Sequence, residues 1–331
     1  MKTIVPAVLA LLGLAACQAD SMPSEPTTLS AVEPGADILG VTNSWSTRTS
    51  MPTGRTGVVA AAVDGVIYAI GGKSGSKALA KVEAYYPGTV GFLEWRTKAP
   101  LPEAAAHFNG AAVIDGKIYV TGGYILLTDE PYLKNWNFRY DPQADTWSSL
   151  APLPQLAYGG VSAAINGKLY VYVVYGPDGN WQAALYRYDP ATDTWTERAN
   201  PPAIQKGATS GVMNGKLYIA GGSSGPAAPV ATLTVYNPAT DTWRTKAPMS
   251  TARGGATGRA INGKLYVAGG NPAISLEPLA LTEVYDPATN SWSKRADMKT
   301  PRYAAGSAAL NGNLYVLGGY GGSRTNEMYI P

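Results

Sequence analysis

Residues 214–222 read Asn-Gly-Lys-Leu-Tyr-Ile-Ala-Gly-Gly, and this stretch decides the fold because five related copies of it occur in the chain. Asn-Gly and Asp-Gly are the preferred residues of two-residue hairpin turns, in which both central positions need positive φ. The apolar residues that follow indicate the second strand of a hairpin. The six turns lie 48 to 51 residues apart: Asp64-Gly65, Asp115-Gly116, Asn166-Gly167, Asn214-Gly215, Asn262-Gly263 and Asn311-Gly312. A period of about 50 residues built from strands predicts a radial β repeat.

Each repeat also carries the signals of a third and a fourth strand. A glycine pair ends the second strand in five copies, and Val173-Val174 replaces it in the third copy. The third strand ends in a turn signal such as Tyr236-Asn237-Pro238. A tryptophan then begins the fourth strand, at Trp95, Trp147, Trp195, Trp243 and Trp292. Four strands per repeat correspond to one propeller blade, so the sequence predicts an all-β, six-bladed propeller with four-stranded antiparallel blades.

The sixth repeat has no tryptophan after its third strand, and the missing strand is found near the start of the chain. Trp45 lies 50 residues before Trp95 and begins a segment of the same type. We therefore predict that an N-terminal strand completes the C-terminal blade and closes the ring, with the propeller spanning residues 44–331. Closure removes sheet edges that would otherwise be free to pair with other chains.

The glycine pairs, the Tyr-Asp-Pro turns and the spaced tryptophans resemble kelch repeats. The resemblance covers residues 45–331 and implies a kelch-type propeller. Kelch propellers include adaptors, sugar-binding proteins and a few enzymes, so the resemblance implies a fold and leaves the activity open.

The first 43 residues differ in character from the repeats. Residues 4–16 form an apolar run, too short to span a bilayer, that ends in Leu14-Ala15-Ala16-Cys17. This end resembles a bacterial lipobox, which implies a signal peptide over residues 1–17 and a lipid on Cys17; the alternative is an ordinary secretory signal with an incidental cysteine. Gln18 replaces the aspartate that would resemble an inner-membrane retention signal, which favours the outer membrane if the source is Gram-negative. Residues 18–43 are rich in Ser, Pro, Thr, Ala and Glu and predict a flexible tether.

Composition excludes several classes of function. The net charge of +3, from 26 basic and 23 acidic residues, is too small to indicate nucleic acid binding. One cysteine, already assigned to the lipid, rules out a disulfide framework. One histidine rules out a metal site built from several imidazoles. We expect no metal and no cofactor.

The candidate site lies on the face that carries the loops between second and third strands. These loops vary in length, whereas the hairpin turns on the opposite face do not, and variable loops on a rigid scaffold usually carry binding. The residue nine positions before each turn should lie at the channel mouth, and it is arginine in three adjacent blades. The candidate ligand-binding residues are Arg55, Arg253, Arg302, His107, Tyr158, Lys206, Trp136, Trp181 and Tyr303. Arginines opposite aromatic rings suit an anionic or sugar-like ligand. The alternative, suggested by kelch blades, is that the arginines brace neighbouring blades by hydrogen bonds to carbonyls.

The sequence thus predicts a lipid-anchored, exported binding module, expected to be a monomer, for a protein or carbohydrate partner. No catalytic residue is assigned. The enzymatic alternative is a sugar isomerase that resembles the sialic-acid mutarotases, with His107 or Glu130 as acid/base and the three arginines as a carboxylate clamp. Paired-carboxylate hydrolysis would draw on loop acids, which include Asp129, Glu130, Asp178 and Glu277.

Overall fold

The computed structural model shows a closed ring of six antiparallel sheets, which confirms the predicted six-bladed propeller. It describes residues 42–89, 94–126, 131–176, 180–225, 228–272, 277–321 and 324–331, all within one compact unit, Ile38–Pro331. The predicted signal peptide, Cys17 and nearly all of the predicted tether lie outside the described residues, as do Asp129, Glu130 and Asp178. No helix in the described part of the chain is long and apolar enough to cross a membrane.

Every blade has four strands, numbered here from the channel outwards. Blade one comprises Val59–Val63, Val66–Ile70, Val82–Tyr85 and Trp95–Lys98, and blade two comprises Ala111–Ile114, Lys117–Thr121, Asn137–Asp141 and Thr146–Ser149. Blade three comprises Val161–Ile165, Lys168–Tyr175, Gln182–Asp189 and Thr194–Glu197, and blade four comprises Thr209–Met213, Lys216–Ala220, Leu233–Asn237 and Thr242–Lys246. Blade five comprises Thr257–Ile261, Lys264–Ala268, Thr282–Asp286 and Ser291–Arg295, and blade six comprises Gly306–Leu310, Asn313–Leu317, Asn326–Ile330 and Ser44–Arg48.

The N-terminal strand closes the ring as predicted. Ser44 pairs with Ile330 and Arg48 with Asn326, in antiparallel register. Asn43 also belongs to blade six, one residue before the predicted boundary. Its side-chain oxygen accepts hydrogen bonds from the backbone N–H of Ala296 and from the hydroxyl of Tyr329, both at 2.8 Å. The fourth strand of blade six is therefore held by the chain segment that precedes it as well as by its own ladder.

The apolar core lies between the blades, in six buried clusters that each join two neighbouring sheets. The repeated tyrosines and tryptophans build these clusters. In blade four, Tyr236 packs on Trp243 with ring centres 5.1 Å apart, and Tyr170 of blade three lies 5.8 Å from Tyr236. The equivalent contact between neighbouring blades occurs at all six junctions, with ring centres 5.7 to 6.3 Å apart. Buried aromatic contacts of this geometry stabilise beyond their buried area, which explains why the tyrosine and tryptophan signals repeat.

Each of the six repeat tryptophans also hydrogen-bonds to the preceding blade. Trp243 donates its indole N–H to the carbonyl of Ala199 at 2.8 Å, and the same Ala199 donates its N–H to Asp241. The six indole bonds run round the whole ring, at 2.8 to 3.0 Å, from Trp45, Trp95, Trp147, Trp195, Trp243 and Trp292. The carbonyl and the N–H of Ala199 are thereby both hydrogen-bonded, although no further strand pairs with this outer loop.

Blade three departs from the others because it lacks the glycine pair. Elsewhere the pair adopts positive φ, as at Gly221 and Gly222 (69° and 93°), and the second strand ends there. Valine at these positions disfavours positive φ, so the second strand of blade three continues to Tyr175 and pairs with Gln182. The extended hairpin brings the adjoining Trp181 beside Lys206, on the face considered next.

Candidate functional site

The face that carries the loops between second and third strands, called the loop face here, holds the exposed apolar side chains of the described residues. Tyr132, Leu156 and Tyr320 are 52%, 53% and 50% exposed. Tyr132 belongs to a two-stranded hairpin, Tyr124–Leu126 with Pro131–Leu133, that rises from blade two. Large exposed apolar side chains grouped on one face indicate a surface for contact with other molecules.

The prediction that arginines line the channel mouth is wrong, because all three side chains are buried inside their own blades. Arg55, Arg253 and Arg302 are 1%, 0% and 1% exposed. Each guanidinium pairs with a buried glutamate on the third strand of the same blade: Glu83 at 2.5 Å, Glu283, and Glu327 at 3.0 Å. Arg55 also donates to the carbonyls of Gly71 and Lys81. The alternative of a structural brace therefore describes these arginines, although the brace acts within one blade.

The glutamates show a sequence signal that reveals this role. Glutamate stands two residues before the third-strand tyrosine only in the three blades with arginine, at Glu83, Glu283 and Glu327. In blade four the pair is Gln205 and Thr234, joined by a 2.6 Å hydrogen bond. In blades two and three alanine takes the structural place of the arginine and shares a core cluster with an aromatic residue: Ala105 with Phe138, and Ala157 with Tyr186. The two positions change together within one chain, as paired positions in contact do.

Backbone hydrogen bonds encircle the channel just inside the mouth. The N–H of each of six residues donates to the carbonyl of its counterpart in the neighbouring blade, at 2.6 to 3.2 Å, through Gly57, His107, Gly159, Gly207, Gly255 and Ala304. All six have positive φ, between 50° and 70°. Glycine accepts this conformation readily, and His107 and Ala304 adopt it without that advantage. The bonds fix the width of the mouth and present the side chain of His107 towards the loop face.

Five of the described side chains form a continuous group at the mouth, called the aromatic patch here: His107, Tyr124, Tyr158, Trp181 and Lys206. His107 stacks on Tyr124 with ring centres 5.3 Å apart, and Tyr124 meets Tyr158 edge-on at 5.5 Å. Lys206 donates to the hydroxyl of Tyr158 at 2.7 Å, and its ammonium lies 4.0 and 4.1 Å from the ring centres of Tyr158 and Trp181. The structure thus brings together four predicted candidates, and Tyr124 joins them because Tyr124 pairs with Ala106 beside the mouth.

The protonation of His107 limits its chemistry. Burial lowers its pKa to about 4, and the positive charges of Lys73 and Lys206 act in the same direction. An imidazole with this pKa is neutral at pH 7 and a weak base, whereas general acid–base catalysis favours a pKa near the working pH. His107 is therefore a neutral, stacked ring in the patch. The isomerase alternative loses its predicted clamp as well, because the three arginines are enclosed in the blades.

Two other candidates lie apart from the patch. Trp136 packs against Phe138, with ring centres 5.4 Å apart, at the junction of blades one and two. Tyr303 packs against Tyr320, with tilted rings whose centres lie 5.0 Å apart, on the opposite side of the mouth. Tyr303 thus shares the loop face with the patch, whereas Trp136 supports the blade junction. Among the described residues, no group of three or more His, Cys, Asp or Glu side chains could hold a metal ion.

Solved and curated proteins share parts of this architecture. The structure of YjhT superposes with a TM-score of 0.72 at 19% identity, over 84% of this chain and 94% of that chain, which shows a shared fold. Beta-scruin of Limulus polyphemus is 31% identical over 143 residues, which are 40% of this chain and 14% of that protein. Kelch-like protein 35 of Mus musculus is 32% identical over 132 residues, which are 39% of this chain and 21% of that protein. The matched segments thus span less than a quarter of these two relatives.

Family models cover most of the blades. The KLHDC2/KLHL20/DRC7 Kelch-repeats domain matches residues 163–330, about half of the chain. The Kelch motif matches residues 54–102 and 105–154, so the matches extend over the ring that the structure shows. The chain therefore belongs to the kelch-repeat family.

Proposed function

We propose that the protein is an exported, lipid-anchored kelch propeller that binds a protein or carbohydrate ligand through its loop face. The single observation that carries the proposal is the aromatic patch. It places stacked rings and an ammonium group at the channel mouth, while the rest of the ring repeats a structural pattern. In a repeat scaffold, function is carried by the side chains that depart from the repeat, and here they gather at one place.

The patch favours a ligand with an acidic or hydroxyl-rich group beside a flat apolar surface. The ammonium of Lys206 has three donors, and the hydroxyl of Tyr158 accepts one of them. The remaining donors suit a carboxylate or sugar hydroxyl, and the rings of Tyr158 and Trp181 suit the apolar side of the same ligand. Tyr132 and Leu156 extend the apolar surface for a protein partner.

Binding is tested with full-length protein on an array of acidic and neutral oligosaccharides and by pull-down from envelope extracts. We expect Trp181→Ala and Lys206→Ala each to weaken binding by about 30-fold, because buried anchors at the centre of an interface typically contribute about 2 kcal/mol or more. Lys216→Ala is the matched control, since Lys216 lies in the same blade at the hairpin turn of the opposite face. Unchanged binding by both patch variants would rule out the patch as the site.

The anchor is tested separately by fractionating cells that produce the Cys17→Ala protein. The proposal expects this variant to leave the membrane fraction and to lose metabolic labelling with a fatty acid analogue. A Cys17→Ala protein that stays with the membrane would refute lipid attachment at this residue and would leave the ligand proposal untouched.

The isomerase alternative has its own measurement. Exchange between the anomers of free sialic acid, followed by NMR, should run at the buffer rate in the presence of the protein, because the arginine clamp is enclosed and His107 is a weak base. Clear acceleration would replace the binding proposal with an enzymatic one.

A further inference from the structure

The central channel contains one departure from repetition that the loop face does not explain. Three residues before each hairpin turn, the first strand of five blades carries alanine or glycine: Ala61, Ala112, Ala163, Gly211 and Ala308. Blade five carries Arg259 at this position. Small residues leave the axis of the ring open, so an arginine in one blade of six places a single large cation within the channel.

The guanidinium of Arg259 lies across the channel wall. It donates to the carbonyl of Gly258 at 3.1 Å and to the carbonyl of Ala60, in blade one, at 3.0 Å. Unlike Arg55, Arg253 and Arg302, it forms no ion pair with a carboxylate of the described residues. Burial lowers its pKa to about 10, so Arg259 is charged at neutral pH. A guanidinium has five N–H donors, and the two bonds to carbonyls leave donors free.

Two cavities along the channel meet at Arg259. One, of about 130 Å³, lies inside the ring of backbone hydrogen bonds at the mouth, and the other, of about 200 Å³, extends towards the hairpin turns. Arg259, Ser162 and Ser210 line both cavities. Thr257 and Ser307 also line the first, and the hydroxyl of Ser307 donates to the carbonyl of Gly258. The first cavity is below the range of about 300–1,000 Å³ that is typical of pockets for larger ligands, so its occupant is small.

We propose that the channel binds one small oxyanion, a carboxylate or a tetrahedral sulfate or phosphate, against the guanidinium of Arg259. A partly buried cation without a carboxylate partner loses part of its hydration, and an anion in the cavity would offset that cost. The planar fork of arginine fits two oxygens of one anion, and Ser210 lines the same cavity. The site lies inside the channel and does not depend on the ligand of the loop face.

The test measures the thermal unfolding midpoint of full-length protein against increasing sulfate, phosphate or acetate at constant ionic strength. Sulfate and phosphate stabilise folded proteins in general by exclusion from their surface, so the quantity that decides is the difference between wild type and Arg259→Met. We expect a saturable rise of about 3 °C in wild type at tenfold the dissociation constant, and loss of the saturable part in Arg259→Met. Arg244→Met, which removes an exposed arginine from blade four, should behave as wild type.

The separate arms identify the occupant and the place. A saturable rise with acetate alone assigns a carboxylate, and one with sulfate or phosphate assigns a tetrahedral anion. Lys206→Ala should leave the rise intact, which separates this site from the aromatic patch. If Arg259→Met fails to fold, Arg259→Lys serves instead. It keeps the charge but loses the planar fork, and it should raise the dissociation constant of the anion at least tenfold. Equal rises in wild type and the Arg259 variants, or no saturable rise in wild type, would overturn the proposal.

Discussion

Blades five, six and one differ from blades two, three and four in how they use the residue at the channel mouth. In the first group an arginine points into the blade and forms a buried ion pair with a glutamate of the same blade. In the second group the mouth residue is alanine or glutamine, and the aromatic patch stands on the loop face above it. The same repeat thus serves stability on one side of the ring and presents a surface on the other.

The largest expected effect comes from breaking one brace. Arg253→Ala leaves Glu283, which is 2% exposed, as a buried charge without its partner. Removing one member of a buried ion pair typically costs about 3–5 kcal/mol. Gln205→Ala, at the same position in blade four, removes neutral hydrogen bonds and should cost about 1–3 kcal/mol. Urea unfolding of the two variants measures the difference in free energy of unfolding.

The chain itself provides the control for this prediction. The double variant Arg253→Ala with Glu283→Phe copies the pair found in blade two, Ala105 with Phe138. Because it removes the unpaired charge and fills the space, it should recover at least half of the stability lost in Arg253→Ala. A double variant as unstable as the single one would show that the cost does not arise from the unpaired glutamate.

The next effect concerns pH and the patch side of the ring. The pKa of His107 is lowered from 6.5 to about 4, so between these values the unfolded chain binds a proton that the folded protein does not. Stability should therefore fall as pH drops from about 6.5 to about 4, and this contribution should be constant above pH 6.5. Asparagine tolerates positive φ, so His107→Asn should remove this part of the slope. Unfolding in urea at several pH values compares the two proteins.

NMR gives a direct check, because the sequence contains one histidine. In untagged protein its imidazole signal should titrate with a midpoint near 4. A midpoint near 6.5 would mean that the ring is solvated and free of the stacking and lysine contacts described for the patch.

A smaller effect is expected in the ring of backbone bonds, which runs through both groups of blades. Gly207 has a φ of 70°, and a Cβ there would come no closer than 3.5 Å to Gly255. Gly207→Ala should therefore cost about 1–2 kcal/mol from backbone conformation alone. Ala304 has a φ of 51° at the equivalent place in blade six, and Ala304→Gly should stabilise by less than about 1 kcal/mol. Thermal unfolding tests whether Gly207→Ala is less stable and Ala304→Gly more stable than wild type. A loss of stability in both variants would contradict this explanation.

The smallest effect is expected within the patch. Tyr158→Phe keeps the ring under Lys206 and removes the hydroxyl that accepts a hydrogen bond from its ammonium. The free energy of unfolding should fall by about 0.5–1.5 kcal/mol. A double-mutant cycle with Lys206→Ala isolates the energy of the hydrogen bond between the two side chains. A coupling energy of zero would indicate that the ring face alone holds the ammonium.

The sequence predicted the scaffold because its signals are local and repeated. Asn214-Gly215, Tyr218 and Trp243 each indicate a turn or a strand within a few residues, and six copies agree. The arginines were misplaced because the fate of Arg253 depends on Glu283, which lies 30 residues further along and contacts it only after the blade folds. His107 holds the backbone position of the ring glycines although it lies one residue further from its turn than they do. Arg259 is recognised as a departure from the repeat only when the first strands of the six blades are aligned with one another.

The interrupted turn of blade six has a consequence for chain connectivity. In blade five the third and fourth strands are joined through Asp286-Pro287-Ala288-Thr289-Asn290-Ser291, and in blade six the same places are held by Ile330-Pro331 on one side and Thr42-Asn43-Ser44 on the other. Asn43 accepts the same two hydrogen bonds as Asn290. One alanine between Pro331 and Thr42 would complete the turn. A circular permutant of residues 42–331 that uses this alanine as the joint and has new ends at Asn214-Gly215 should assemble the same six blades.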